Sequence, residues 1–313
     1  MTFLPLAVVS SALLFQSPSP SPAAVGVSDA RAATALQQAC DGGDAGSCDA
    51  LGRMLAEGVG MPRDEPRAAG LFQKACDVND AAGCSNLAQM YADGRGVAKD
   101  EAKAVGLFRR TCEAGDLSGC TGLGEMYSDG RGVAKDETQA AALFRQACDG
   151  DDPAGCADLG ELEVDGRGVP KDQGKAVSLF EQACAQEDGA ACADLGELYA
   201  EGRVVPRDEA KAVTYFEKAC DEGEPTGCTD LGEMYSEGHG VPKDPARAVA
   251  LLRKGCEGDD PEGCDALGVL YADGTGVPRN RALARTFFQK ACKEGLEEAC
   301  AELRSQPPKP HRH

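Results

Sequence analysis

The chain has no tryptophan and only three histidines, His239, His311 and His313, the last two within three residues of its end. So thin a supply excludes a hydrolytic metal centre built from clustered imidazoles. No CxxC pair occurs, which argues against zinc knuckles and against thioredoxin-type thiol chemistry. The S-x-x-K, S-D-N and K-T-G strings of a serine β-lactamase are also missing. Basic side chains are scarce, with 32 Lys and Arg set against 52 Asp and Glu, for a formal charge of -20. That balance repels phosphate backbones and anionic lipid surfaces. The residues therefore point to no catalytic set, no metal, no cofactor and no nucleic-acid partner.

Long apolar runs are lacking too. Residues 3–15, "FLPLAVVSSALLF", form a run of thirteen, short for a bilayer span and suited to the core of a signal peptide. Its flanks are irregular, since no Lys or Arg precedes it and "QSPSPSPAAVG" follows without an A-x-A site. The absence of arginine also counts against a mitochondrial presequence. We read residues 1–26 as a signal peptide with a Pro/Ser-rich linker, and expect a secreted or periplasmic protein with no stable membrane insertion after cleavage. Residues 304–313, "RSQPPKPHRH", are proline-broken and basic and read as a disordered tail.

Cysteine, by contrast, is abundant and ordered. Sixteen fall as Cys40/Cys48, Cys76/Cys84, Cys112/Cys120, Cys148/Cys156, Cys184/Cys192, Cys220/Cys228, Cys256/Cys264 and Cys292/Cys300, eight C-x7-C pairs at a step of 36 residues. An even, strictly paired set suits an oxidising compartment and eight disulfides. The competing metal reading lacks both CxxC spacing and histidines.

The same step organises everything from residue 27 to 303. In the unit from Cys120, Leu123, Met126 and Tyr127 give the i, i+3, i+4 stripe of one helix, which Gly130 and Gly132 end. Asp136 caps a second helix whose buried face is Ala140, Leu143, Phe144 and Ala147. Asp152 and Pro153 restart the first helix of the next unit. The octet "DGRGVAKD", present at 93–100 and again at 129–136, is thus a turn: no strand precedes it and no phosphate-loop lysine follows. Gly58, Gly94, Gly130, Gly166, Gly202, Gly238 and Gly274 hold the place where a helix end needs a left-handed residue. Gly52, Gly124, Gly160, Gly196, Gly232 and Gly268 recur inside the first helix, with Ala88 the exception, and imply close helix approach. Each cysteine pair spans the reversal from a second helix to the next first helix, close enough for a disulfide.

The unit "LGEMYSDGRGVAKD", followed by Ala and Leu-Phe, resembles the Sel1-like repeat, and with C-x7-C in every copy it is similar to the Helicobacter cysteine-rich proteins. The resemblance covers residues 28 to about 303. It implies an all-α fold, an α/α superhelical solenoid related to tetratricopeptide arrays, and a protein-binding scaffold. It also carries an enzymatic alternative, because members of that branch have been described as penicillin-binding proteins or weak β-lactamases. Some eukaryotic cysteine-rich members are intermembrane-space assembly factors. Leu55 and Glu163 in place of Tyr, Val204 in place of the second loop glycine, Leu252 in place of Phe and Asn280 in place of the cap Asp depart from the unit.

Positions two, five and nine after the second cysteine share one face of the first helix. In three successive units they read Asp158, Glu161, Asp165; Asp194, Glu197, Glu201; and Asp230, Glu233, Glu237. The resemblance places this helix on the inner wall. We expect these nine carboxylates to be the partner-binding residues, receiving a basic protein or peptide segment, with a solvated face as the plain alternative.

Overall fold

The computed structural model describes residues 27–305, which are all-α. The expected signal segment and residues 306–313 of the expected tail lie outside the described residues. The helices fall into two compact units, the first ending at Lys171 and the second beginning at Asp172. The first holds α1 (Val27–Asp41), α2 (Ala45–Glu57), α3 (Glu65–Asp77), α4 (Ala81–Asp93), α5 (Glu101–Glu113), α6 (Leu117–Asp129), α7 (Glu137–Asp149) and α8 (Pro153–Asp165). The second holds α9 (Gln173–Ala185), α10 (Gly189–Glu201), α11 (Glu209–Asp221), α12 (Pro225–Glu237), α13 (Pro245–Glu257), α14 (Pro261–Asp273), α15 (Arg281–Lys293) and α16 (Glu297–Ser305).

Local chemistry sets these boundaries. Each odd-numbered helix from α3 onward begins at an acidic or amide cap, as where Asp100 Oδ1 accepts from the Lys103 amide at 3.0 Å. Asn280 keeps the role, accepting from the Leu283 amide at 3.1 Å, so its departure from Asp leaves the cap intact. The even-numbered helices α2 to α14 end at a left-handed glycine; Gly94, at φ 73°, returns its N–H to the Met90 carbonyl. The second loop glycine has a different task. A Cβ on Gly96 would lie 2.3 Å from the Glu65 carbonyl oxygen, so this turn presses on the first turn of the odd helix in the repeat before. Val204 cannot make that approach. The turn after α10 accordingly lacks the second amide bond that Arg95, Arg131, Arg167, His239 and Thr275 make to their own helices.

A further left-handed position follows each odd helix and was not anticipated. Gly43, Gly115, Gly223 and Gly295 occupy it in four repeats, whereas Asn79, Asp151, Glu187 and Asp259 take it with φ between 63° and 69°.

In five repeats a glycine of the even helix lies against a ring or branched chain on the next helix. A Cβ added at Gly124 would lie 2.5 Å from the Phe144 ring, and one at Gly232 would lie 2.8 Å from Leu252. Ala68, Ala104, Ala140, Ala176, Ala212, Ala248 and Ala284 are fully buried. Tyr127 and Tyr271 turn their hydroxyls to Arg109 and Arg253, at 3.3 and 2.6 Å. Where Glu163 replaces tyrosine, its carboxylate lies 4.0 Å from Arg145 at the matching place, so the buried acid inherits the same arginine.

All eight expected cysteine pairs are bonded. In the N-terminal unit they are Cys40–Cys48, Cys76–Cys84, Cys112–Cys120 and Cys148–Cys156. In the C-terminal unit they are Cys184–Cys192, Cys220–Cys228, Cys256–Cys264 and Cys292–Cys300. Their Cα separations run from 4.4 to 4.8 Å. Each bond joins the last turn of an odd helix to the first turns of the next even helix. In a chain-entropy picture a ring this short contributes about 2.5 kcal/mol. Within each unit successive even helices touch, α2 with α4 and α10 with α12 for example, while successive odd helices make no comparable contact among the described residues. The even helices therefore line the tighter, inner side of each unit.

Candidate functional site

The acidic residues singled out in the sequence all stand on even-numbered helices. In the C-terminal unit Asp194, Glu197 and Glu201 stand on α10, and Asp230, Glu233 and Glu237 on α12. Asp194 and Asp230 are half-buried near the helix starts, whereas Glu197, Glu201, Glu233 and Glu237 are exposed. The position-nine acids have local basic partners. Glu201 accepts from Arg203 Nε at 2.8 Å, and Glu237 lies 3.2 Å from Nδ1 of His239.

The cysteines at the starts of these helices take no part in that face. Cys192 stands in the first turn of α10 two residues before Asp194, Cys228 in the first turn of α12 two residues before Asp230, and Cys264 just before Asp265 on α14. All three are buried and bonded, to Cys184, Cys220 and Cys256 in turn, so they offer a partner neither surface nor free thiol. Their role is to anchor the acid-bearing helices to the odd helices before them, rather than to line a binding site.

Charge is hardest to hold at Asp230, Glu233 and Glu197. Asp230 is raised well above the ordinary aspartate range, first by burial and then by Glu197, Glu233, Asp260 and Glu262. Burial, with Glu262, Glu237, Asp260 and Asp265 behind it, pushes Glu233 up to about 7. Glu197 is raised by burial and by Glu201 and Glu262, with Arg203 opposing. Glu197 and Glu233 both keep exposed surface, which limits how far either carboxylate is deprived of water.

Asp260, Glu262 and Asp265 belong to this group, and the sequence reading passed over them. Asp260 caps α14 by accepting from the Glu262 and Gly263 amides. Glu262 follows Pro261 in the first turn and is raised by burial, Asp260, Glu298 and Asp265. The missed signal was the "DDPEGCD" string, acidic on both sides of the proline.

In the N-terminal unit Asp158, Glu161 and Asp165 stand on α8. Arg167 lies 3.7 Å from Glu161 and 3.5 Å from Asp165. Glu125 on α6 is pushed up to about 7 by burial, with Arg131 opposing and Asp129, Asp93 and Asp152 adding to the rise. It sits five residues after Cys120, in register with Glu161, but Gly122 interrupts the pattern at position two and hid it. Among the described residues, no group of three or more His, Cys, Asp and Glu side chains is placed to hold a metal ion. Chemically, both faces offer carboxylates to cations; no free cysteine stands beside them among the described residues, and the imidazole of His239 pairs with Glu237.

The Sel1 repeat pattern matches seven consecutive windows, residues 45–80, 81–116, 117–152, 153–188, 189–224, 225–260 and 261–296. The chain belongs to the Sel1 repeat family. Each window opens at the start of an even helix and closes just before the next one, so the family's unit is the inner helix with the outer helix that follows. A Sel1 repeat protein from Oxalobacter formigenes has the same fold, with a TM-score of 0.63, 23% identity, and 87% of this chain and 79% of that one covered. The c5321 protective antigen of uropathogenic Escherichia coli follows at TM-score 0.53 and 25% identity, covering 87% of this chain and 66% of the antigen. Cysteine-rich protein B of Helicobacter pylori is 33% identical over 42% of this chain and 96% of its own, at TM-score 0.36. No curated protein sequence matches the chain significantly.

Proposed function

We propose that this Sel1 repeat protein is an exported scaffold that holds a basic protein or peptide segment against the acidic inner faces of its repeats. The observation that carries the reading is the grouping of Asp230, Glu233 and Glu262 in the C-terminal unit. There burial and mutual repulsion drive all three carboxyls toward their protonated forms. A cationic side chain brought among them offsets the repulsion and supplies the hydrogen bonds that burial removed. Because Arg203 and His239 already serve Glu201 and Glu237, the binding centre falls toward the N-terminal parts of α10, α12 and α14, away from their C-terminal ends.

Export is supported by the eight disulfides, which persist in oxidising compartments. Residues 1–26 act as the leader in this reading. No described helix is long and apolar enough to cross a membrane. Repeat arrays of this class commonly work by presenting an extended surface to a partner.

The test is titration of the oxidised protein with an oligo-lysine peptide, beside the Glu197→Lys, Glu233→Lys double variant. Binding that weakens with added salt and is lost in the variant supports the reading. Equal affinity in both proteins ends it, and hydrolysis of nitrocefin by the wild-type protein would put the β-lactamase alternative in its place.

A further inference from the structure

Two residues before the first cysteine of every pair stands a long polar side chain: Gln38, Lys74, Arg110, Gln146, Gln182, Lys218, Lys254 or Lys290. From the last turn of an odd helix this side chain can reach the disulfide of the repeat before. Lys218 and Lys290 donate to the backbone carbonyls of Cys184 and Cys256, leaving the sulfurs untouched. Arg110 goes elsewhere. Its Nη2 is turned onto Sγ of Cys76 and Sγ of Cys84 together. No other described disulfide has a guanidinium recorded on both of its sulfurs.

A cavity of about 630 Å³ opens at the same place, lined by Cys76, Tyr91, Lys103, Leu107 and Arg110 among others. Lys103 Nζ stands 4.9 Å above the Tyr91 ring, so the wall of the cavity carries two cations. Asp77, the one acid in the lining, accepts from Gln73 at 2.7 Å, and Asp100 lies 3.4 Å from Lys103 Nζ.

We propose that Cys76–Cys84 is a thiol-exchange site, the buried disulfide that small anionic thiols open first. Exchange needs access to one sulfur and a stabilised departing thiolate at the other. The cavity reaches Cys76, and the permanently charged guanidinium meets the thiolate that leaves. Lys103 and Arg110 draw in the anion. In the first step an incoming thiolate bonds to Cys76 Sγ, the sulfur–sulfur bond breaks, and Cys84 leaves with the electron pair beside Arg110. In the second, another small thiolate attacks the mixed disulfide, freeing Cys76 as a thiolate and releasing the small-molecule disulfide. Two small thiols are oxidised, the protein pair gains two electrons, and both cysteine thiolates exchange protons with water. Opening the bond unties α3 from α4 and leaves the other seven junctions clamped.

Exposure alone ranks the bonds differently. Cys76 and Cys84 are 4% and 1% exposed, close to the 4% and 0% of Cys148 and Cys156. Accessibility therefore predicts equal rates for these two pairs, and only the guanidinium and its cavity separate them. The experiment is brief treatment of the full oxidised chain with glutathione at neutral pH, then alkylation and peptide mass spectrometry. The comparison protein is Arg110→Gln, since glutamine already fills this place at Gln38, Gln146 and Gln182. We expect Cys76 and Cys84 to be labelled roughly tenfold faster than Cys148 and Cys156, because a nearby arginine lowers a departing thiol's pKa. The advantage should vanish in Arg110→Gln while the other pairs keep their rates. Equal labelling of the two pairs in the wild type overturns the proposal. So does faster opening after Arg110→Gln, which would make the arginine a shield.

Discussion

The ring of Phe108 lies against Gly122, so close that a Cβ at that glycine would sit 2.5 Å from the ring. Elsewhere the aromatic ring of the odd helix turns toward the even helix before it, as Phe72 does toward Gly52 and Phe216 toward Gly196. Ala88 accounts for the difference. Its methyl fills the space that those glycines leave empty, so Phe108 packs on the following even helix, and that helix must then carry glycine. The acidic series is interrupted at residue 122 for this steric reason. Gly122→Ala should cost about 1–3 kcal/mol through overpacking. Adding Ala88→Gly should recover at least about 1 kcal/mol of it, a coupling that denaturant unfolding of the two single variants and the double variant would measure. Additive effects would contradict the account.

Thr121 donates its hydroxyl to Asp152, the cap of the next even helix, and Thr229 does the same for Asp260. Asp49 holds the corresponding place one repeat register from Asp80. Its pKa is raised, first by burial, with Asn86 and Arg53 opposing and Asp80 and Asp116 adding to the rise. The folded value therefore exceeds the unfolded one near 3.8. Stability from this group is complete below that pH and is lost as pH rises through the folded value. Asp49→Thr should accordingly stabilise the protein at pH 7, with the gain shrinking toward pH 3.5. Thermal melts at the two pH values would show it, and a gain independent of pH would count against the explanation.

Glu233 should titrate near neutrality. Its folded pKa of about 7 lies above the ordinary 4.5, so its contribution to stability is fully present below 4.5 and is lost as pH climbs through 7. The carboxyl chemical shift of Glu233, followed by NMR, should show a midpoint near 7. In Glu262→Gln the midpoint should fall, because the first of the charges that raise it has gone. A midpoint near 4.5 in the wild type would remove the electrostatic basis for cation binding at this face.

Glu187 stands at φ 67°, where Gly115 and Gly223 stand in other repeats. The left-handed conformation costs a residue with a Cβ about 1–2 kcal/mol, part of which glycine returns through its freer unfolded chain. Glu187→Gly should therefore raise the unfolding free energy by about 0.5–1 kcal/mol, readable from the urea midpoint. A lowered midpoint would show that the Glu187 side chain supplies contacts worth more than the strain.

These examples show why some features were legible in the sequence and others were not. The caps at Asp100 and Asp136 and the left-handed ends at Gly94 and Gly130 depend on a side chain and the backbone within a few residues, so the string itself reveals them. The cysteine step revealed the repeat length and the places where helices reverse. The direction of Phe108 depends on a methyl twenty residues earlier and a glycine fourteen residues later, which no local pattern records. The left-handed turn at Asn79, Asp151, Glu187 and Asp259 stayed hidden because glycine marks it in only half of the repeats. Glu262 was missed because its role comes from neighbours on α12 and α16, brought near by stacking.

The fold depends most on the clamp at each reversal between an odd helix and the next even one. Peptide mapping of the non-reduced mature protein tests it directly. The expected map has eight cross-links, each joining cysteines eight residues apart, from Cys40–Cys48 to Cys292–Cys300, and no free thiol. Cross-links between distant repeats, or sixteen free thiols in protein taken from its native compartment, would contradict it.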